Sequence, residues 1–126
     1  MPPPSLRSME PGKVLIVEDE PLITFAVSEG LMERGYTVLT ALSAAEAICL
    51  LETYPDIRTA FIDIEMPGSM NGLKLAAAVH DRWPPVNIII TTGKNRPEKE
   101  EMPTKSVFIP KPYLPEQVLN AVSSFG

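Results

Sequence analysis

The chain has 126 residues, 44% hydrophobic and 21% charged, with a formal net charge of −5 and a pI near 4.8. That length fits one domain with a real core, and the acidic balance disfavours nucleic acid as a direct partner, because phosphate backbones call for a basic face. A lone Cys49 leaves no internal disulfide and fits a reducing compartment, and neither a signal peptide nor a membrane-length apolar run is visible, so the expected location is the cytoplasm.

Residues 1–11 are proline-rich and lack apolar periodicity, which predicts a flexible tail ahead of a domain over 12–126. Val14–Val17 is continuously apolar, as a strand covered on both faces should be, and it runs into Glu18-Asp19-Glu20. Ile23, Ala26, Val27, Gly30 and Leu31 keep helical spacing, with Pro21 in the first turn and Gly35 just past the end. Tyr36–Leu39 is more mixed and suits a strand nearer the sheet edge. Ser43 and Glu46 form a capping-box pattern before Ala47, Ile48 and Leu51, and Cys49 reads as a small buried residue. Ala60–Ile62 is the third strand and closes on Asp63. Leu73, Ala76, Ala77 and His80 are assigned to one face of the third helix.

Ile88–Ile90 is the fourth strand, followed by Thr91-Thr92-Gly93. The stretch Lys94–Met102 is polar all round and ends against Pro103, which predicts a short or mobile fourth helix. Val107–Ile109 is the fifth strand, followed by Pro110-Lys111-Pro112. Leu114, Val118, Ala121, Val122 and Phe125 trace the last helix, with Pro115 in its first turn. Five apolar runs alternating with helical patterns predict an α/β fold with a doubly wound parallel sheet.

The charged residues fall at the C-terminal ends of the strands, the edge where open α/β sheets bind ligands. Glu18 and Asp19 follow the first strand, Asp63 the third and Lys111 the fifth. Hard carboxylate oxygens suit Mg²⁺ working beside a phosphate, a lysine supplies a point charge for a phosphoryl oxygen, and a carboxylate can itself be a nucleophile that forms an acyl phosphate. Thr91 and Thr92 add hydroxyls at the same edge. The set makes a phosphoryl-transfer site governed by positioning and charge neutralisation.

In Glu18-Asp19, in Asp63-Ile64-Glu65-Met66-Pro67, in Thr92-Gly93 and in Lys111-Pro112 the sequence resembles the receiver domains of two-component response regulators, from about Lys13 to Phe125. The resemblance implies a flavodoxin-like five-stranded sheet of order 2-1-3-4-5 with helices on both faces. It implies Asp63 as phospho-acceptor, and Mg²⁺ held by Glu18, Asp19, Asp63 and the backbone carbonyl of Glu65. Lys111 would pair with Asp63 and later with its phosphate, across a cis Lys111-Pro112 bond. Thr92 would be the switch hydroxyl and Phe108 the aromatic switch. Thr91 competes with Thr92, which is preferred because Gly93 then takes the small-residue position. The loop Met66–Gly72 is one residue longer than the commonest family form, Gly93 replaces the usual alanine, and Phe108 stands where tyrosine is common.

The implied partners are a sensor histidine kinase and a downstream protein or phosphotransfer partner, with neither nucleic acid nor membrane. A homodimer through the fourth helix, fifth strand and last helix is a further expectation. With nothing following the last helix the chain reads as a stand-alone receiver, catalysing only its own phosphorylation and dephosphorylation. Three rival readings stand beside it. One is a small Asp-nucleophile phosphatase of the haloacid-dehalogenase type with Glu65 as second acid. Another is a flavodoxin relative, disfavoured because Glu18-Asp19-Glu20 would repel a flavin phosphate. The third is a phosphorylation-independent pseudo-receiver.

Overall fold

The structure, a computed structural model, describes residues 12–65, 71–94 and 96–125. The expected tail over 1–11 and most of the expected longer loop, residues 66–70, lie outside the described residues. Strands β1 (Lys13–Val17), β2 (Thr37–Ala41), β3 (Ile57–Asp63), β4 (Asn87–Thr92) and β5 (Val107–Pro110) form one parallel sheet of order β2-β1-β3-β4-β5. Helices α1 (Pro21–Glu33), α2 (Ala44–Thr53), α3 (Gly72–Arg82) and α4 (Pro115–Ser124) connect or follow the strands. The fourth helix expected from the sequence is a single 3-10 turn, Lys99–Glu101.

Alternate strand residues divide between two cores, as a sheet covered on both faces requires. Leu15, Val17, Ala60, Ile62, Ile88 and Ile90 pack with α2 and α3. Val14, Ile16, Phe61, Ile89 and Ile109 pack with α1 and α4 through Val27, Leu31, Val118, Leu119 and Val122. The edge position of β2 agrees with its mixed sequence.

The helix boundaries have local causes. Pro21 and Pro115 occupy first turns, where a missing N–H costs nothing. Ser43 Oγ accepts the Glu46 amide at 3.2 Å, and Asn71 Oδ1 accepts the Lys74 amide at 2.9 Å. Gly35 ends α1 at φ 93°, a left-handed conformation that glycine adopts without a Cβ penalty.

Three sequence expectations are corrected. The buried face of α3 is Gly72, Leu75, Ala76 and Val79, so Ala77 and His80 face solvent. Cys49 is exposed, because it lies two residues from buried Ala47 and so turns away from the stripe Ala44, Ala47 and Leu51. Leu114 is 68% exposed; it precedes the first turn of α4 and points outward before the helical stripe begins.

Candidate functional site

The parallel register places the ends of β1, β3, β4 and β5 side by side, with Val17 opposite Ile62 and Asp63 opposite Thr91. Side-chain alternation then puts Glu18 and Asp63 on the α1/α4 side of the sheet end, continuing from Ile16 and Phe61. Glu18 is 1% exposed and Asp63 is 2% exposed, whereas Asp19 lies at the open rim. One carboxylate oxygen from each of Glu18, Asp19 and Asp63 lies within 4.8 Å of the others. The expected acidic set is therefore brought together by the fold.

Lys111 leaves β5 beside them. Its amide donates to the Thr92 carbonyl at 2.9 Å, fastening the end of β5 to the end of β4. Its ammonium donates to Asp63 Oδ2 at 2.8 Å and to Glu18 Oε1 at 3.3 Å. The Lys111-Pro112 bond is cis. Asp63 Oδ1 accepts the Glu65 amide at 2.8 Å, so both carboxylate oxygens of Asp63 are held.

One lysine cannot neutralise two buried carboxylates, and the charge distributes accordingly. Burial above all, then a hydrogen bond and repulsion from Asp63, push the Glu18 carboxyl up to about 8. Burial also opposes ionisation of Asp63, but hydrogen bonds with Glu18, Lys111 and the Glu65 amide outweigh it and leave that carboxyl below its ordinary value. The pair thus shares one proton near neutral pH, with Glu18 shifted upward and Asp63 downward. Lys111 loses some basicity to burial and regains more from Asp63 and Glu18, so it stays charged.

The residues at β4 take different places. Thr91 is fully buried and its hydroxyl has no hydrogen-bond partner among the described residues. Thr92 is also buried, but its hydroxyl donates to Glu65 Oε1 at the mouth of the site. The same oxygen accepts the amides of Gly93 at 2.7 Å and Lys94 at 2.8 Å. These donors, led by the Thr92 hydroxyl, hold the Glu65 carboxyl below its ordinary value. Phe108 is half-buried against the α2/α3 core, and the Arg96 guanidinium stands 5.1 Å from its ring centroid.

Sequence reasoning did not single out Tyr113 or Gly72, and it gave Glu65 only as a backbone carbonyl ligand or as the second acid of the phosphatase reading. The side chain of Glu65 closes on the loop after β4, a contact that depends on how that loop folds back. Tyr113 packs edge-on to Phe61 with ring centroids 5.7 Å apart. Its hydroxyl is buried without a partner among the described residues, and burial followed by the Glu18, Asp63 and Glu20 carboxylates raises its pKa. An aromatic residue directly after Lys111-Pro112 was the available signal. Gly72 opens α3 where a Cβ would lie 2.3 Å from Ile64 Cα and 2.7 Å from the Asp63 carbonyl oxygen. Only glycine lets this helix approach the end of β3 so closely.

Known proteins resemble this chain in sequence and in fold. The family described as response regulator receiver domain matches residues 14–123. The alginate biosynthesis transcriptional regulatory protein AlgB of Pseudomonas aeruginosa is 30% identical over 114 residues, covering 88% of this chain and 25% of its own length. The sensor kinase CckA of Brucella abortus is 30% identical over 117 residues, 86% of this chain and 12% of that protein. The chain thus spans a quarter or less of these two relatives. Among solved structures, a response regulator receiver protein from Sinorhizobium medicae superposes with a TM-score of 0.82 at 24% identity, covering 92% of this chain and 94% of the other. Chemotaxis protein CheY4 of Vibrio cholerae gives a TM-score of 0.78 at 28% identity, covering 90% and 98%. The sheet order, the matched span and the strand-end acids agree: this chain belongs to the response regulator receiver domain family.

Proposed function

We propose that this receiver accepts a phosphoryl group on Asp63 from the phosphohistidine of a sensor kinase and signals through a protein partner. The observation that carries the proposal is the state of Asp63. It is buried at a strand end, with Lys111 on one oxygen, the Glu65 amide on the other and two further carboxyl groups beside it, and its hydrogen bonds hold its own carboxyl below the ordinary value. An Asp63 oxygen attacks phosphorus, the bond from phosphorus to the histidine nitrogen breaks, and an acyl phosphate forms. Lys111 then has a phosphoryl oxygen to pair with in place of the free carboxylate.

The donor set fits Mg²⁺: all three side chains offer hard oxygens, and Glu18 Oε2 is buried with no partner among the described residues. Glu18, Asp19, Asp63 and the Glu65 backbone carbonyl would hold the ion. Bound there, Mg²⁺ would draw the Glu18 proton off and neutralise charge on the phosphoryl oxygens.

The chain would catalyse only its own phosphorylation and dephosphorylation. A phosphatase of the haloacid-dehalogenase type would need Glu65 to hand a proton to a leaving group. Its carboxylate instead accepts three hydrogen bonds that favour the ionised form. For output, Gly93 and Lys94 follow Thr92, and Arg96 stands over the Phe108 ring at the β5 surface. The net charge of −5 favours a protein over nucleic acid as direct partner of this domain. Incubation with acetyl phosphate and Mg²⁺ followed by intact mass tests the proposal. One added phosphate on the wild type and none on Asp63→Asn is expected; equal gains in the two would contradict it.

A further inference from the structure

At the exit of β4 one carboxylate oxygen gathers three donors: the Gly93 and Lys94 amides at 2.7 and 2.8 Å, and the Thr92 hydroxyl. Consecutive backbone N–H groups converging on one point form an anion seat, and an ionised acceptor makes each bond stronger than a neutral one would be. The occupant is the side chain of Glu65, an exposed residue whose carboxylate could equally be solvated. The contact satisfies the hydroxyl of buried Thr92, but the amides of Gly93 and Lys94 belong to exposed residues and need no such acceptor.

The seat adjoins the acid pocket. The space beside the Gly93 Cα lies 3.8 Å from Lys111 Cβ and Cδ and 3.9 Å from Glu65 Oε1. Lys111 itself reaches Asp63 at 2.8 Å, and Asp63 holds the Glu65 amide. Asp63, Lys111, Gly93 and Glu65 thus form a closed ring of contacts. A phosphoryl group on Asp63 would add oxygens inside that ring, beside the donors that Glu65 occupies.

We infer that Glu65 is an internal competitor, whose carboxylate fills the donor seat at Thr92, Gly93 and Lys94 and must leave before a phosphoryl group on Asp63 can use it. The inference rests on the phospho-acceptor reading. It makes Glu65 a positioning residue, tying the loop after β4 to the end of β3 in the unphosphorylated protein. Displacement would release that loop and the segment leading to Arg96 and Phe108. The apparent affinity for a phosphoryl mimic is then the intrinsic affinity reduced by the fraction of molecules with the seat empty.

The test uses the purified chain with beryllofluoride and Mg²⁺ as the probe, followed by amide NMR titration. Glu65→Asp keeps the charge but is one methylene too short to reach the seat; Glu65→Gln keeps the reach without the charge. Glu65→Asp should bind the probe about tenfold more tightly, the gain expected when the competitor fills the seat in about nine of ten wild-type molecules. Without probe, its Gly93 and Lys94 amides should exchange faster than in the wild type, and Glu65→Gln should fall between. Glu65→Asp binding no more tightly than the wild type would overturn the inference. So would tighter binding in Glu65→Gln alone, which would mark simple charge repulsion. Binding by Glu65→Asp but not by the wild type is the same effect in extreme form. Failure of all three chains to bind contradicts the phospho-acceptor reading, and the inference with it.

Discussion

Replacing Glu18 by glutamine should change how stability depends on pH when no divalent metal is present. Glu18 titrates at about 8 in the folded protein and at 4.5 as a free side chain. Between those values the folded chain keeps a proton that the unfolded chain has released, so folding stability falls as pH rises. The stabilisation is complete below pH 4.5 and is lost as pH climbs to 8. One such proton corresponds to about 1.4 kcal/mol per pH unit, or up to roughly 4 kcal/mol from pH 5 to pH 8. Asp63 shifts downward, so its contribution is in place above its ordinary value of 3.8, is lost only as pH falls further, and does not act in this window. Glu18→Gln removes the titrating proton while nearly preserving shape. Any constant effect of the amide cancels when the two proteins are compared across pH. Urea denaturation in chelator at pH 5, 6, 7 and 8 should show the variant gaining on the wild type at each step. A difference that stays flat across the series would refute the assignment of a shared proton to this buried pair.

Mg²⁺ at a hundredfold excess over its dissociation constant should stabilise the wild type by about 2.7 kcal/mol. Asp63→Asn should gain less, and in chelator at pH 8 it should melt higher than the wild type because one buried negative charge is gone; identical melting behaviour with and without metal would contradict this. Gly72→Ala should lose about 2 kcal/mol, because its Cβ meets backbone atoms of Ile64 and Asp63 that cannot turn aside, and a denaturation midpoint equal to that of the wild type would count against the close approach. Thr92→Ala should still gain phosphate at Asp63 but should lose the change in hydrogen exchange over residues 93–108 that beryllofluoride causes in the wild type; unchanged exchange differences would remove Thr92 from the switch.

The strands were legible because a sheet covered on both faces needs uninterrupted apolar runs, and the runs of β1, β3, β4 and β5 led into residues of the site. Caps and turns were legible for local reasons at Ser43, Pro21, Gly35 and Pro115. Where phase decided the outcome, the sequence was less informative. The α3 stripe begun at Leu73 rotates away from the true face, which Gly72 sets by seating the helix against Ile64. Cys49 suits burial by residue type, yet its spacing from Ala47 turns it outward. The acids, the lysine and the threonine were visible as types at strand ends. Which oxygen met which donor was not, because Glu65 finds Thr92, Gly93 and Lys94 only after two loops 28 residues apart have folded together.

Formation of an acyl phosphate at Asp63 can be read directly by hydride trapping. After incubation with acetyl phosphate and Mg²⁺, borohydride reduces an aspartyl phosphate to the corresponding alcohol, which peptide mass spectrometry can locate. Reduction is expected at position 63 and at no other aspartate, and chelation of Mg²⁺ should abolish it. Reduction at Asp19 or elsewhere with Asp63 intact would contradict the assignment to Asp63.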